Sequence, residues 1–483
     1  MTSSVHHRAV LYSLGTLLMI LAGAMLLPLP WAFAPGEESW RALLLSALPT
    51  AAIGAGLHLW GRERAELRRR DTYLLVTLAW LAAAAFGALP YLFSGAIPTF
   101  TDAFFESMSG FSTTGASVLT DIEVVPPAIL FWRSLTHWLG GMGIMVLLVA
   151  LLSALGVGGL QVMRAEAPGP SVERLTTRVR DTAKALWIAY VVLTGLYVLI
   201  TWGLGMSLFD ALNHAFATMA TGGFSTKNAS LGAYSPAIQW VTTLFMFLAG
   251  VNFALFVGAV QSRNTWIFWK DAEFRLYTFA TLGSSIILAL LLSGAGMGLF
   301  DALRHGTFQS LTILTTTGFA TQDFSQWPLA AQGILGLLSV AGASTGSTGG
   351  AIKMMRHLVL LKQAASEFAR QIQPRVVRQV RLNNRTVPDE MVMHIQQFFF
   401  LYLGALGVGF LLLAATGLDL VSSLTASAAL LGNVGPGLGA VGPASNYSNL
   451  TDFAKWVGSL LMLLGRLELY TVLVLLSPAF WRR

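Results

Sequence analysis

The chain has 483 residues, 55% of them hydrophobic and only 11% charged, where soluble proteins carry about 25% charged residues. A soluble fold of that composition could not cover its apolar surface, so the chain reads as an integral membrane protein. Having no Cys excludes disulfides, thiolate metal sites and thiol catalysis. The net charge of +7 sits in alternate loops, a distribution that argues against a nucleic-acid-binding face.

Apolar stretches of spanning length, roughly 20 residues each, fall at 10–30, 43–60, 73–93, 127–152, 186–206, 236–260, 276–292, 332–361, 393–413 and 453–476. The first is not expected to be a cleavable signal: its apolar run is too long, no small-residue cleavage site comes after it, and Trp31 sits where an interfacial anchor would. Every second loop is basic. One holds Arg62, Arg64, Arg68, Arg69 and Arg70; the next holds Arg164, Arg174, Arg178, Arg180 and Lys184; then come Arg263, Lys270 and Arg275. The largest set runs from Lys353 and Arg356 through Lys362, Arg370, Arg375, Arg378, Arg381 and Arg385, whereas the other loops hold only Arg41, Lys227, Arg304 and Lys455. This asymmetry places both termini, with Arg8, Arg482 and Arg483, in the cytoplasm. The same clusters could also meet an acidic partner or anionic membrane lipid.

Between certain spans lie short amphipathic segments that open with Asp: Asp102-Ala-Phe-Phe-Glu-Ser, Asp210-Ala-Leu-Asn-His-Ala, Asp301-Ala-Leu-Arg-His-Gly and Asp419-Leu-Val-Ser-Ser-Leu. Their spacings of 108, 91 and 118 residues indicate a repeated unit of about a hundred residues. Each Asp is placed to cap a helix N-terminus. Ten residues from Asp102 to Phe111 make about 15 Å of helix, half of a hydrocarbon core about 30 Å thick. The stretch after each segment is rich in Gly and Thr: Ser112-Thr-Thr-Gly-Ala-Ser, Ala220-Thr-Gly-Gly-Phe-Ser, Thr315-Thr-Thr-Gly-Phe-Ala and Gly432-Asn-Val-Gly-Pro-Gly. Such residues end a helix, and non-helical backbone at membrane depth must be buried in protein or line water.

The fold class is therefore an all-α polytopic membrane protein: four pseudo-symmetric units of span, half-helix, filter loop and span around one pore, after two N-terminal transmembrane helices. The expected divisions are 1–71 for those two helices, then 72–183, 184–275, 276–392 and 393–483 for the four units. Carbonyls of four converging loops can replace the water shell of a cation, and half-helix C-termini aim partial negative charge at the same point. Gly115, Gly223, Gly318 and Gly435 supply backbone angles closed to other residues.

Several further signals leave alternatives open. The span after the third loop is interrupted by Gly342, Ala343, Ser344, Thr345, Gly346, Ser347, Thr348, Gly349 and Gly350, either a kink filled by neighbouring helices or a mobile intramembrane loop. Arg466 lies within a span and must face water, carbonyls or a partner such as Glu468. Asp210 with His214, and Asp301 with His305, share helix faces and could hold a metal, although local contacts fit better. Arg133 and His137 are structural or line the vestibule. Glu468 is a candidate proton carrier or a structural ion-pair member. Nothing matches a phosphate-binding loop, since no Lys follows Gly346 or Gly349 as that motif requires, so no nucleotide site and no enzyme activity are expected in this chain.

On the four Thr/Gly loops, the two extra N-terminal spans, the Gly-rich interruption and Arg466, the whole chain closely resembles the TrkH-type subunits of bacterial potassium uptake systems, in the Trk/Ktr/HKT superfamily. The resemblance implies a potassium filter of Thr113, Thr114 and Gly115; Thr221, Gly222 and Gly223; Thr316, Thr317 and Gly318; and Asn433, Val434 and Gly435. In the family, Gly at the fourfold position accompanies potassium selectivity, and this chain has Gly in all four. The resemblance also implies that 342–350 is a gating loop and that Arg466 projects under the filter as a barrier to cations. It further implies regulation by a TrkA-like cytoplasmic nucleotide-binding ring, a homodimer with one pore per protomer, and a bacterial inner-membrane location. The other reading is a coupled secondary transporter, driven by protons or sodium, for monovalent cations or another small solute.

Overall fold

The computed structural model describes residues 6–33, 38–61, 67–154, 175–373, 379–383 and 385–482. Arg62, Arg64, Arg164, Arg174, Arg375, Arg378 and Arg483 of the basic loops lie outside them. The described residues are helical apart from loops and one two-residue hairpin, Arg381–Leu382 with Arg385–Thr386. Among the described residues, six helices are long and apolar enough to cross a membrane, and two bent helix pairs bring the number to 8 if each pair is one span. The first two helices, His7–Ala24 and Ser39–Trp60, pack antiparallel at backbone contact: a Cβ on Gly15 or Gly54 would collide with the other helix's main chain. Small residues permit this approach where lipid supplies no hydrophobic drive.

Four units come next, each with a first span, a half-helix, a loop and a second span. The half-helices are Phe100–Phe111, Leu208–Met219, Leu299–Leu314 and Leu420–Leu431, with 12, 12, 16 and 12 residues. At 1.5 Å per residue the short ones reach about 18 Å. The first spans are Arg69–Gly87, Leu175–Gly203, Ala272–Gly294 and Asp389–Ala414.

Two expectations need correction. Of the four Asp residues, only Asp419 is an N-cap, accepting from Val421 and Ser422 N–H at 3.0 Å each. Asp102 and Asp210 lie three residues inside, where Thr99 and Ser207 cap them and donate back to their carboxylates at 2.7 and 2.8 Å. Asp301 comes after the cap position Gly298 and pairs with Arg304 at 2.7 Å. The four Asp residues are thus not equivalent, and the third half-helix carries one extra turn. Second, the interruption expected only in the third unit recurs. The second span runs unbroken over Pro127–Ala154 in the first unit, but in the second unit it bends by 87° between Pro236–Ala249 and Phe253–Ser262. In the fourth it bends by 116° between Asp452–Arg466 and Tyr470–Leu476. In the third, Leu329–Leu338 and Met354–Ile372 are separated by a loop wider than the Gly-rich stretch, residues 339–353.

Candidate functional site

Each half-helix ends the same way. Thr113 N–H bonds Gly110 O and Thr114 N–H bonds Ser109 O, at 3.0 and 2.9 Å. Thr221 with Gly222, Thr316 with Thr317, and Asn433 with Val434 repeat both bonds, which is the Schellman closure of a helix C-terminus. The closure puts the first of each pair in the left-handed region, with φ of 52°, 52°, 60° and 55° for Thr113, Thr221, Thr316 and Asn433. Gly usually holds that position. A β-branched Thr there is strained by roughly 1–3 kcal/mol, a cost that persists where surrounding structure enforces it. Two residues on, Gly115, Gly223, Gly318 and Gly435 have φ of 82°, 83°, 83° and 95°.

These glycines also close a ring. A Cβ on Gly115 would overlap Gly222 O, one on Gly223 would overlap Thr317 O, one on Gly318 would overlap Val434 O, and one on Gly435 would meet Thr114 O. Each loop therefore abuts the middle carbonyl of the next, in the order first, second, third, fourth, first. Outward of the ring lies a cavity of about 200 Å³ bordered by all four glycines, Ser117 and Lys227.

The loops are braced from behind. Glu106 and Arg133, both buried, pair at 2.7 Å. Glu106 also accepts from Ser117 Oγ at 2.9 Å and Val118 N–H at 2.8 Å, while Arg133 donates to Ser225 O at 3.1 Å and stacks 3.5 Å above the Phe224 ring. The pair thus fixes the outgoing chains of the first two loops to each other. Although Arg133 reaches the vestibule wall, its bonds are structural. His137 is fully buried against Gly222 and 4.0 Å from Phe224. His214 bonds Asp210 O at 2.8 Å and Ser225 Oγ at 2.9 Å, and His305 bonds Thr321 Oγ1 at 2.9 Å. These are local braces, and no group of three metal-ligating side chains occurs among the described residues. Asn433 Nδ2 donates to Thr114 Oγ1 at 3.0 Å and Met462 O at 2.9 Å, joining the fourth loop to the first. Sequence reasoning missed Glu106 as a brace. It also missed Tyr447, whose buried hydroxyl donates to Gly435 O at 2.8 Å; a lone Tyr far downstream of the Gly carried no signal.

The 339–353 loop presses on the inner end of this ring. Thr348 Oγ1 lies 3.3 Å from Thr221 Oγ1 and donates to Met219 O at 3.0 Å, while Gly350 N–H donates to Thr316 Oγ1 at 2.6 Å. Gly350 packs so closely on Gly432 O that a Cβ would collide with it. Lys353 Nζ donates back to Gly349 O. Arg466, 2% exposed, donates to Thr348 O at 2.9 Å and Gly140 O at 3.0 Å. Of the alternatives for this charge, carbonyls are the answer and Glu468 is not: Glu468 pairs with Arg356 at 2.5 Å. Gly465 lets the chain reach this point, since a Cβ there would overlap Leu431 O.

Fold and site together define a polytopic membrane protein in which four loops that end short helices meet in a ring. Residues 46–483 match the TrkH family, cation transport protein, and the chain belongs to that family. The Trk system potassium uptake protein TrkH of Salmonella typhimurium is 40% identical over 99% of this chain and 100% of its own length. The Trk system potassium uptake protein TrkG of Escherichia coli K12 is 34% identical over 99% of each chain. The crystal structure of the potassium transporter TrkH from Vibrio parahaemolyticus superposes with a TM-score of 0.90 at 38% identity, covering 98% of this chain and 99% of that one.

Proposed function

We propose that this chain is the ion-conducting subunit of a bacterial potassium uptake system, with transport through the ring of Thr113–Gly115, Thr221–Gly223, Thr316–Gly318 and Asn433–Gly435. The observation that carries this reading is the cyclic contact of each filter Gly with the next loop's middle carbonyl. Four equivalent carbonyls, held by strained backbone and backed by four half-helix C-termini, form a shell that can replace the water around a cation. The names of the relatives support potassium as the ion. In this reading 342–350 is the gate, Arg466 places a positive charge beneath the filter, and the five divisions drawn in the sequence are one N-terminal pair and four pore units. A TrkA-like nucleotide-binding ring on the cytoplasmic side then regulates the pore. Two such chains form a homodimer in the inner membrane with both termini in the cytoplasm.

The test is radioactive rubidium uptake into liposomes containing the purified chain, with and without a proton or sodium gradient, together with reversal potentials in mixed potassium and sodium. Expected are uptake that needs neither gradient and a strong preference for potassium over sodium. Absence of uptake overturns the reading, and uptake that requires a gradient replaces a channel-like pore with coupled transport.

A further inference from the structure

The 339–353 loop is tied to a series of polar groups outside the filter that ends at the protein surface. Glu273, in the first turn of the helix Ala272–Gly294, is 2% exposed. Its Oε1 accepts from Thr345 N–H at 2.6 Å and from Met355 N–H at 2.9 Å. A single carboxylate oxygen thus grips both the middle of the loop and the first turn of the helix beyond it. In a buried site a backbone N–H deprived of its acceptor is costly.

Two residues earlier, Asp271 caps the same helix by accepting from Phe274 N–H at 2.8 Å. Its other oxygen accepts from Asn383 Nδ2 at 2.8 Å, and Asn383 Oδ1 accepts from Ala272 N–H at 2.9 Å. Asn383 sits at the turn of the surface hairpin, exposed and with φ 46°. Asn is one of the few residues that tolerates that backbone, so the turn and the reciprocal side-chain grip come from one residue. Lys362, on the helix after the loop, donates to Arg381 O of the same hairpin at 2.6 Å. The hairpin therefore holds the elements on both sides of the loop: the Ala272–Gly294 helix, whose Glu273 grips it, and the Met354–Ile372 helix into which it runs.

We propose that Glu273 is a positioning residue that holds the gating loop against the filter, and that the Arg381–Thr386 hairpin sets this hold through Asn383 and Asp271. The inference rests on the loop being the gate. Asp271, Ala272 and Glu273 lie within a single helical turn, so a displaced hairpin moves the carboxylate on which Thr345 and Met355 rest. The hairpin is then the place where an event at the membrane surface is converted into release of the loop.

The experiment uses the full-length chain in liposomes, with rubidium uptake normalised to folded protein and the Tm in detergent measured in parallel. Glu273→Ala raises uptake about tenfold, as loss of its two hydrogen bonds from Thr345 and Met355 N–H would. Glu273→Gln keeps an acceptor oxygen in place and stays within about threefold of the parent. Asn383→Ala, at the exposed end of the series, removes both of its bonds to the start of the Ala272–Gly294 helix and, acting on the loop only through Glu273, raises uptake by about threefold. A variant lacking Thr345–Ser347 leaves residue 273 with Met355 N–H but no loop residue to hold, so adding Glu273→Ala to it changes uptake by clearly less than it does in the full chain. No rise in the loop-lacking variant itself refutes the gate. A rise there, with no rise for Glu273→Ala and Asn383→Ala, leaves the gate standing and overturns the role of Glu273. Equal loss of uptake from Glu273→Ala with and without the loop residues also overturns it, since that is the behaviour of scaffolding. Should Glu273→Ala not fold, Asn383→Ala decides by the same comparison.

Discussion

Replacing Arg466 with Ala removes two things at once. The guanidinium holds Thr348 O and Gly140 O at 2.9 and 3.0 Å from a site only 2% exposed, and hydrogen bonds to charged groups contribute roughly 1.5–3 kcal/mol each. It also places a fixed positive charge beside Thr348, whose hydroxyl touches Thr221 at the base of the proposed filter. At a separation of about 6 Å and an effective dielectric near 20, that charge repels a passing cation by about 3 kcal/mol. Both effects oppose flux. With every 1.36 kcal/mol worth a factor of ten in rate, Arg466→Ala is expected to raise rubidium flux per folded protein by roughly a hundredfold if only the repulsion is relieved. Arg466→Lys retains the charge but loses the planar fork that reaches two carbonyls, so it keeps most of the restriction and yields less than a tenfold rise. Flux is measured in liposomes at matched protein density, with Tm in detergent as the control. Lower flux together with a lower Tm in Arg466→Ala would refute the reasoning and leave Arg466 as scaffolding between Thr348 and Gly140. Unchanged flux at unchanged Tm would refute it equally.

Gly115→Ser forces a side chain onto a residue with φ 82° and against Gly222 O, so the potassium-to-sodium permeability ratio should fall about tenfold, or ~1.4 kcal/mol of lost discrimination; an unchanged ratio in a folded variant rejects the first loop as filter. Deleting Thr345–Ser347 should raise rubidium flux while keeping the preference for potassium, because the loop's bonds to the filter run through Thr348 and Gly350. A changed preference at unchanged rate counts against a gate. Glu106→Ala strands buried Arg133 and should cost about 3–5 kcal/mol, seen as a lower Tm, with less loss in Glu106→Gln. Tyr447→Phe removes the hydroxyl on Gly435 O and should shift the permeability ratio by less than tenfold, in line with a bond worth about 1 kcal/mol; a larger shift would mean that Tyr447 shapes the whole ring.

Composition alone made this a membrane protein, and the recurrence of Thr and Gly after four short amphipathic segments located the four loops that meet in a ring, because both signals live in covalent neighbours. The equivalence of Gly115, Gly223, Gly318 and Gly435 was legible for the same reason: a backbone with φ near 80–95° selects Gly whatever surrounds it. The left-handed Thr113, Thr221 and Thr316 were not legible, since Thr is a poor choice there and only the closed ring enforces it. Nor were the bends at 250–252 and 467–469, because hydropathy measures length and composition and neither break contains Pro. The pairing of Arg466 with Glu468 looked natural in sequence, yet the helix ends at Arg466 and Glu468, with φ 54° in the break beyond it, turns to Arg356. The carbonyl that Arg466 takes instead, Gly140 O, is 326 residues away. Contacts of that reach depend on how four units close around one axis, and closure is a property of the assembled backbone: it decides which buried charge meets which carbonyl, and no local stretch of residues encodes it.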